Sequence, residues 1–321
     1  MHALSVQLTY ELERFSVSET NIIDTVFIGG GTPSTVDPIL YTEIFNTFRP
    51  FLAPNAEITS EANPNSATFE WLKGMRQLGV NRISFGIQSF NDEKLKILGR
   101  AHNTAHALNA ISNAQKIGFK HLSVDLIYGV SGDTKALLQN DITQAFSLPI
   151  DHISLYSLTI EEHTAFEKTP EIAREELALT KWLFEKIASQ GFEQYEISNF
   201  GKSKSAHNLG YWEGENYIGL GAGAVGFLDN CRFYPSVDID YYIEHPLEIS
   251  EEPLDKQALL SEKLFLGFRS CIGVDERILS KNQFKTAQLL CDENMLQHHN
   301  GRFFNSNFLL ADEIALRVEG Y

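Results

Sequence analysis

A chain of 321 residues, 43% hydrophobic and 21% charged, has the make-up of a soluble globular protein with room for one large domain and a smaller one. A formal net charge of −16 without a Lys/Arg-rich stripe excludes a broad nucleic-acid surface, and no apolar run reaches the length of a membrane span. The only cysteines, Cys231, Cys271 and Cys291, contain no Cys-x-x-Cys pair; this excludes a disulfide framework and a compact thiolate metal site, and leaves three small buried hydrophobes.

Residues 1–20 lack the apolar core of a signal peptide, so the cytoplasm is the expected compartment. They predict a helix with Leu4, Leu8, Leu12 and Phe15 on one face. The run IIDTVFI predicts a buried strand that stops at Gly29-Gly30-Gly31, followed by Thr32 and Pro33. Bare backbone at a strand end has two readings: a ligand that approaches the main chain closely, or a tight strand-to-helix turn. DPILYTEIFNTFRPFL (37–52) predicts a helix and AEITSEANP (56–64) a short strand. A helix over 67–79, a strand over 80–90, a helix over 103–118, a strand over 119–129, a helix over 134–148 and a strand over 151–160 follow. Repeated βα units imply parallel strands with covering helices.

A further helix is predicted over 171–190, ending at Gly191, and then an aromatic- and glycine-rich cap over 192–227 that is irregular or β-rich. From about residue 250, helices over 255–269 and 276–290, a hairpin in HNGRFFNSN and a last helix over 309–320 suit a small winged-helix-like α+β domain.

Ligands of parallel βα folds bind at the carboxyl ends of the strands. Gly29 to Thr32, Glu61, Gln88, Asp125 and Thr159 occupy those positions, at steps of 27, 37 and 34 residues after Glu61. Asp125, inside SVDLIYG, is a carboxylate among apolar neighbours, which is costly unless it is paired. Each residue has a plainer role: Glu61 as a helix cap, Gln88 as a backbone partner, Asp125 paired with a lysine, Arg100 as a solvated helix end. Polar residues at four consecutive strand ends argue instead for one rim. Carboxylates, an arginine and bare glycine backbone suit a zwitterion carrying a sugar, of which S-adenosylmethionine is an example.

The motifs VFIGGGTPS, EANP, NRISFGIQSFND, LGRAHN, SVDLIYGVSGDT, HISLYSLTIEEHT, YEISNF, HNLGYWEGENYIGLGAGA and FLGFRSCIGVD resemble, in order and over nearly the whole chain, the HemW family. Members are radical S-adenosylmethionine (SAM) proteins related to oxygen-independent coproporphyrinogen III dehydrogenase (oxidase). The resemblance implies a partial (β/α)6 TIM-like radical SAM barrel missing its first strand, with a small C-terminal α+β domain. The implied boundaries are 1–165 for the barrel, 166–235 for the following helix and cap, and 236–321 for the C-terminal domain. It implies that Gly30, Gly31 and Thr32 contact the methionyl part of SAM. Glu61, Gln88, Arg100 and Asp125 would make its other polar contacts, with Arg100 on the carboxylate, and Thr159 and Val225 weaker ones.

The family's cluster motif, Cys-x-x-x-Cys-x-x-Cys, is absent. The [4Fe–4S] cluster that the resemblance implies therefore has no ligands in this sequence, because three scattered late cysteines cannot replace that motif. Neither cluster binding nor reductive cleavage of SAM is expected of the chain as written. An N-terminally incomplete version of a longer protein and a cluster-free relative are the two explanations. The first is expected, since without a preceding strand residues 22–28 would form a sheet edge with unpaired backbone. An extended chain is then expected to be the more soluble; equal solubility and equal urea midpoints would count against this.

HNLGYW, His207 to Trp212, separates HemW-like proteins from the coproporphyrinogen dehydrogenases, and the resemblance makes His207 a candidate axial ligand of haem. Tyr211 and Trp212 would pack on the porphyrin; the plainer reading is a histidine held by loop hydrogen bonds. His102 and His106 read as helix-start or surface groups, His163 as a loop cap, and His298 and His299 as solvated. The implied function is a haem chaperone that passes haem to an acceptor protein, with an electron donor needed only if the complete protein does radical chemistry. The alternatives are decarboxylation of coproporphyrinogen III and a cluster-free, non-enzymatic relative. No catalytic residue is assigned.

Overall fold

The computed structural model describes residues 1–160, 165–174 and 176–320, so His163 lies outside the described residues. The first helix, α1 (His2–Arg14), buries Gln7 and Glu11 as well as Leu8 and Leu12. Strand β1 (Ile23–Ile28) is half-buried rather than fully buried and stands last in its sheet. The single helix expected over 37–52 is a shorter α2 (Thr42–Phe48) between 3-10 turns at Pro38–Tyr41 and Arg49–Phe51. Pro38 and Pro50 explain the break, since proline supplies no N–H to the helical ladder. Strand β2 (Leu52–Ala62) is longer than the short strand expected.

The next elements follow the predicted alternation: α3 (Phe69–Leu78), β3 (Arg82–Gln88), an unanticipated short α4 (Asp92–Ile97), α5 (Thr104–Ile117), β4 (His121–Tyr128), α6 (Lys135–Phe146) and β5 (His152–Ser157). Thr68, Asn91, Asn103 and Thr134 cap four of these helices by accepting backbone N–H bonds, as short polar side chains do at that position. Helix α7 (Leu177–Ala188) starts six residues later than expected, after a 3-10 turn at Pro170–Ile172. The cap region is more regular than its composition suggests. It contains β6 (Glu193–Gln194), β7 (Asn199–Gly201), α8 (Ala206–Glu213), β8 (Gly226–Leu228) and β9 (Cys231–Pro235). The chain ends with α9 (Ile239–Glu244), β10 (Ile249–Pro253), α10 (Lys256–Phe268), β11 (Val274–Asp275), α11 (Lys281–Asp292), β12 (Leu296–His299), β13 (Arg302–Asn305) and α12 (Ala311–Glu319). Among the described residues no helix is long and apolar enough to cross a membrane.

Residues 26–39 and 57–204 form one compact unit. Its sheet has the order β1-β2-β3-β4-β5-β7-β6, a partial barrel in which β2 to β5 pair in parallel and β7 and β6 are antiparallel. Alternation sets the two faces. Ile83, Phe85 and Ile87 of β3 and Leu122, Val124 and Leu126 of β4 are fully buried, while Ser84, Gly86, Gln88 and Asp125 point to the less covered side. Each buried aliphatic contributes roughly 2 kcal/mol. A one-residue slip would exchange the faces, so the hydrophobic pattern also fixes where the polar side chains stand.

Residues 1–25, 40–56 and 205–321 form the second unit. One part is the antiparallel sheet β10-β9-β8; another is the sheet β11-β13-β12, packed with α10, α11 and α12 around Leu264, Phe268, Leu290, Phe303 and Ile314. That second part is the small α+β domain the sequence predicts. Gln7 ties α1 to the GLGAGA loop of the same unit: its Nε2 donates to the Gly219 carbonyl (3.1 Å), and its Oε1 accepts from the Gly221 N–H (2.9 Å) and the Tyr242 hydroxyl (2.7 Å). Gln7→Leu leaves two buried donors and one acceptor unpaired. A loss of about 3 kcal/mol in urea unfolding is expected, and an unchanged midpoint would show that water takes over these bonds.

Candidate functional site

Three glycines end β1, and they differ. A side chain on Gly29 has no room, since its Cβ would lie 2.6 Å from Cε1 of Phe27 and 3.3 Å from Cδ of Glu61. At Gly30 and Gly31 a Cβ would meet nothing within 4 Å, yet φ is 77° and 51°, a region that other residues enter only with strain. The turn reading therefore holds, since the turn needs glycine, and open space faces the backbone of Gly30 and Gly31. The Gly30 N–H donates to Oε2 of Glu61 at 3.3 Å, so Glu61 serves the glycine turn and not a helix cap. Thr32 precedes the 3-10 turn Pro33–Thr35, and its carbonyl accepts from the Thr35 N–H.

From Glu61 a row of polar residues crosses the sheet. Glu61 stands opposite Ser84, Asp125 opposite Ser154, and Ser154 opposite Asn199. The Ser84 hydroxyl donates to Oδ1 of Asp125 at 3.0 Å, and Ser154 also hydrogen-bonds this carboxyl. Asp125 is thus satisfied by hydroxyls, not by a lysine. Burial pushes its pKa up to about 6 against those bonds, helped by the charge of Glu61. Burial likewise raises Glu61, opposed by the Gly30 N–H, and raises Tyr156, with Asp125 and Glu196 adding to it. Glu196 is pushed up to about 7 by burial, although the Ser198 N–H donates to its Oε2 at 3.0 Å. Ser84, Ser154, Tyr156 and Glu196 escaped the reading of single strand ends. Period-two alternation in RISFGIQ and HISLYS, which puts Ser84 with Gln88 and Ser154 with Tyr156, is the signal that finds the first three.

Gln88 ends β3 at φ 69°, in the left-handed region. The segment after it is held by buried groups. Asp141 accepts from the Ser89 hydroxyl (2.8 Å) and the Phe90 N–H (2.7 Å), Lys94 pairs with Asp133 (2.7 Å), and Nε2 of His102 lies 2.9 Å from the Ile87 carbonyl. His102 is therefore buried, not a surface group; His106 is a helix-start group, in the capping box of α5. Arg100, beyond α4, is exposed, and among the described residues its guanidinium has no carboxylate partner. Thr159 is also exposed, two residues beyond β5, and its hydroxyl donates to the Ser157 carbonyl at 3.4 Å. The structure joins Gly30, Glu61 and Asp125 closely. It places Gln88, Arg100 and Thr159 at or beyond strand ends of the same unit, with no bond from their side chains to Glu61 or Asp125 among the described residues.

The other unit carries Val225, just before β8, and His207. HNLGYW is helical, forming most of α8, with Ser205 capping its first turn through the Asn208 N–H. Nδ1 of His207 lies 2.8 Å from the Thr25 hydroxyl, and Nε2 lies 3.1 Å from that of Tyr211. Tyr211 meets Tyr217 edge-on at 4.6 Å, and Tyr217 stacks near Phe227 at 6.0 Å. His298 and His299 are exposed on β12, one stacked on Phe303 and the other on Phe304.

Cluster ligands do not assemble. Cys231 is in β9, Cys271 follows α10 and Cys291 is in α11, all half-buried thiols, and the described residues hold no group of three His, Cys, Asp or Glu placed to bind a metal. These thiols do not fit an iron–sulfur cluster.

Comparison with known proteins places the chain. The Radical SAM superfamily model matches residues 7–144. "Heme chaperone HemW" of Lactococcus lactis subsp. lactis is 34% identical over 277 residues, 82% of this chain and 73% of that protein. The protein of the same name from Bacillus subtilis is 34% identical over 79% of this chain and 72% of its own. The chain belongs to the HemW family. Coproporphyrinogen III oxidase (HemN) of Escherichia coli, a radical SAM enzyme, matches this HemW-family chain with a TM-score of 0.81 over 100% of this chain and 82% of its own. At 17% identity that likeness shows the fold alone.

The raised Asp125 yields a pH test. A carboxyl whose folded pKa exceeds its unfolded value holds its proton more tightly when folded, so its contribution falls as pH rises from about 4 to about 6 and stays low above. Asp125→Asn removes that loss and should raise stability at pH 7.5 by about 3 kcal/mol. Urea midpoints measured from pH 4 to 8 check it; curves that run parallel for the two proteins would refute it.

Proposed function

We propose that this HemW-family chain binds haem through His207 and passes it to an acceptor protein, with SAM held at the strand ends of its other unit. The observation that carries the first part is the setting of His207. One ring nitrogen is fixed by Thr25, and the other points toward a tyrosine that is 41% exposed and followed by two further aromatic rings. An imidazole oriented by a hydrogen bond on its far nitrogen is the common way proteins prepare an iron ligand. The relatives' name, heme chaperone, supports the same reading.

For SAM, Gly30 and Gly31 offer bare backbone to the methionyl group, Arg100 a cation for its carboxylate, and Glu61 and Asp125 acceptors for its ammonium and ribose hydroxyls. Bound SAM would supply a sulfonium and an adenosyl group. The thiolates needed for reductive cleavage are not in this sequence, so no radical step is assigned to these residues.

Haem titration followed at the Soret band tests the chaperone reading. The wild type should give a saturable shift, and His207→Ala should weaken binding at least tenfold; the loaded protein should then lose haem to a haem-free b-type acceptor. Equal titration curves for the two proteins would overturn the role of His207. Calorimetry with SAM tests the other site. Glu61→Gln and Arg100→Met should each weaken binding roughly tenfold, the value of one charge-assisted hydrogen bond, and heats unchanged by both substitutions would remove SAM from this rim.

A further inference from the structure

His207 has both ring nitrogens engaged, at 2.8 Å by the Thr25 hydroxyl and at 3.1 Å by the Tyr211 hydroxyl. A neutral imidazole has one N–H and one lone pair, so one hydroxyl must accept and the other must donate. The phenol is the stronger donor and the weaker acceptor of the two, because its O–H ionises near 10 whereas an aliphatic hydroxyl does not ionise in water. The arrangement that uses both hydroxyls best has the His207 Nδ1–H donating to Thr25 and the Tyr211 O–H donating to Nε2. Nε2 then carries the lone pair that iron needs, and Tyr211 covers it.

We propose that Tyr211 is a removable cap on the haem-ligating nitrogen of His207, and that Thr25 sets the tautomer that keeps this nitrogen ready. The proposal rests on His207 as the haem ligand. Tyr211 stands one helical turn after His207 on α8, the spacing at which side chains meet. Little holds the cap. Its ring is 41% exposed and is restrained by the bond to Nε2 and by edge contacts with His207 (4.8 Å) and Tyr217 (4.6 Å). Interactions of this size are overcome by an iron–imidazole bond, yet they return when that bond is strained. A protein that must hold haem and then release it benefits from such a competitor. The hydroxyl lowers affinity to a moderate value and occupies Nε2 as haem leaves, so the nitrogen is not left bare for rebinding.

The test is haem titration of the full chain in four variants, with the imidazole tautomer read by 15N NMR in the absence of haem. Tyr211→Phe should tighten haem binding about fivefold, the value of one neutral hydrogen bond, with an unchanged histidine-ligated spectrum. Thr25→Val should weaken haem binding by a similar factor and mix the two tautomers, and Thr25→Ser should restore both. His207→Ala is the reference that loses ligation. Equal affinities in wild type, Tyr211→Phe and Thr25→Val, with binding lost only in His207→Ala, would overturn the cap and leave His207 as the ligand. Loss of haem from Tyr211→Phe would overturn it differently, by making the phenol itself the ligand. An unaltered spectrum in His207→Ala would remove both this proposal and the reading beneath it. Far-UV circular dichroism and urea midpoints separate these outcomes from misfolding.

Discussion

Asp125 carries a charge in the middle of a strand whose neighbours Val124 and Leu126 are buried. Its surroundings are an answer to that cost. Ser84 on one neighbouring strand and Ser154 on the other each bond the carboxyl, and the parallel register of β3, β4 and β5 brings them there. Hydroxyls neutralise no charge, so the carboxyl stays high in energy, and Glu61 makes it worse. An isolated fold would gain by replacing Asp125 with a small apolar residue. A rim that keeps its acceptors unneutralised instead spends stability on waiting for donors. Sites that bind hydroxyls and ammonium groups are built in this way, and the conflict between stability and binding is the physical reason for reading this face as functional.

A reactive rim is useful only if its loops are held. The segment from Gln88 to Arg100 follows a residue in the left-handed region, and three buried tethers fix it: Asp141 on Ser89 and Phe90, Asp133 on Lys94, and the Ile87 carbonyl on His102. Lys94 and Asp133 are both nearly inaccessible. A pair of that kind adds little net stability, since desolvation offsets attraction, but removing one partner is expensive because it strands the other charge. Its effect is specificity of position. The loop that ends at Arg100 is placed by a buried charge pair, and Arg100 itself is left exposed at the end.

Much of this was legible in the sequence, for identifiable reasons. Strands β3, β4 and β5 and helices α3, α5 and α6 follow from apolar periodicity with a polar cap before each helix, signals that act locally and survive packing. The position of Glu61 beside the triple glycine follows from chain order alone, since consecutive βα units put consecutive strand ends side by side. What was missed depends on three dimensions. Helix α8 was hidden by the glycine and aromatics of HNLGYW, which read as a loop; Ser205 caps its first turn and Gly214, in the left-handed region, ends it. The burial of His102, the hold of Gln7 on the GLGAGA loop and the partnership of Thr25 with His207 join residues 15, more than 200 and 182 positions apart. No window of local sequence contains both members of such pairs.

The two candidate sites rest on opposite physical bases. Around Asp125, backbone strands with fixed register carry the polar groups, and their cost is electrostatic. Around His207 a single helical turn sets the spacing between histidine and tyrosine, β1 supplies the third group, and the two hydroxyl contacts to the ring are neutral, each of about the strength of one hydrogen bond. Strand-borne groups cannot move apart without breaking the sheet, whereas a half-exposed tyrosine on an eight-residue helix moves by rotating two side-chain bonds. Rigidity suits a ligand that must be held in one pose, and the looser arrangement suits a cargo that must be taken up and surrendered. On the proposed reading, the division of labour follows from which element carries each group: sheet register for retention, side-chain rotation on a helix for exchange.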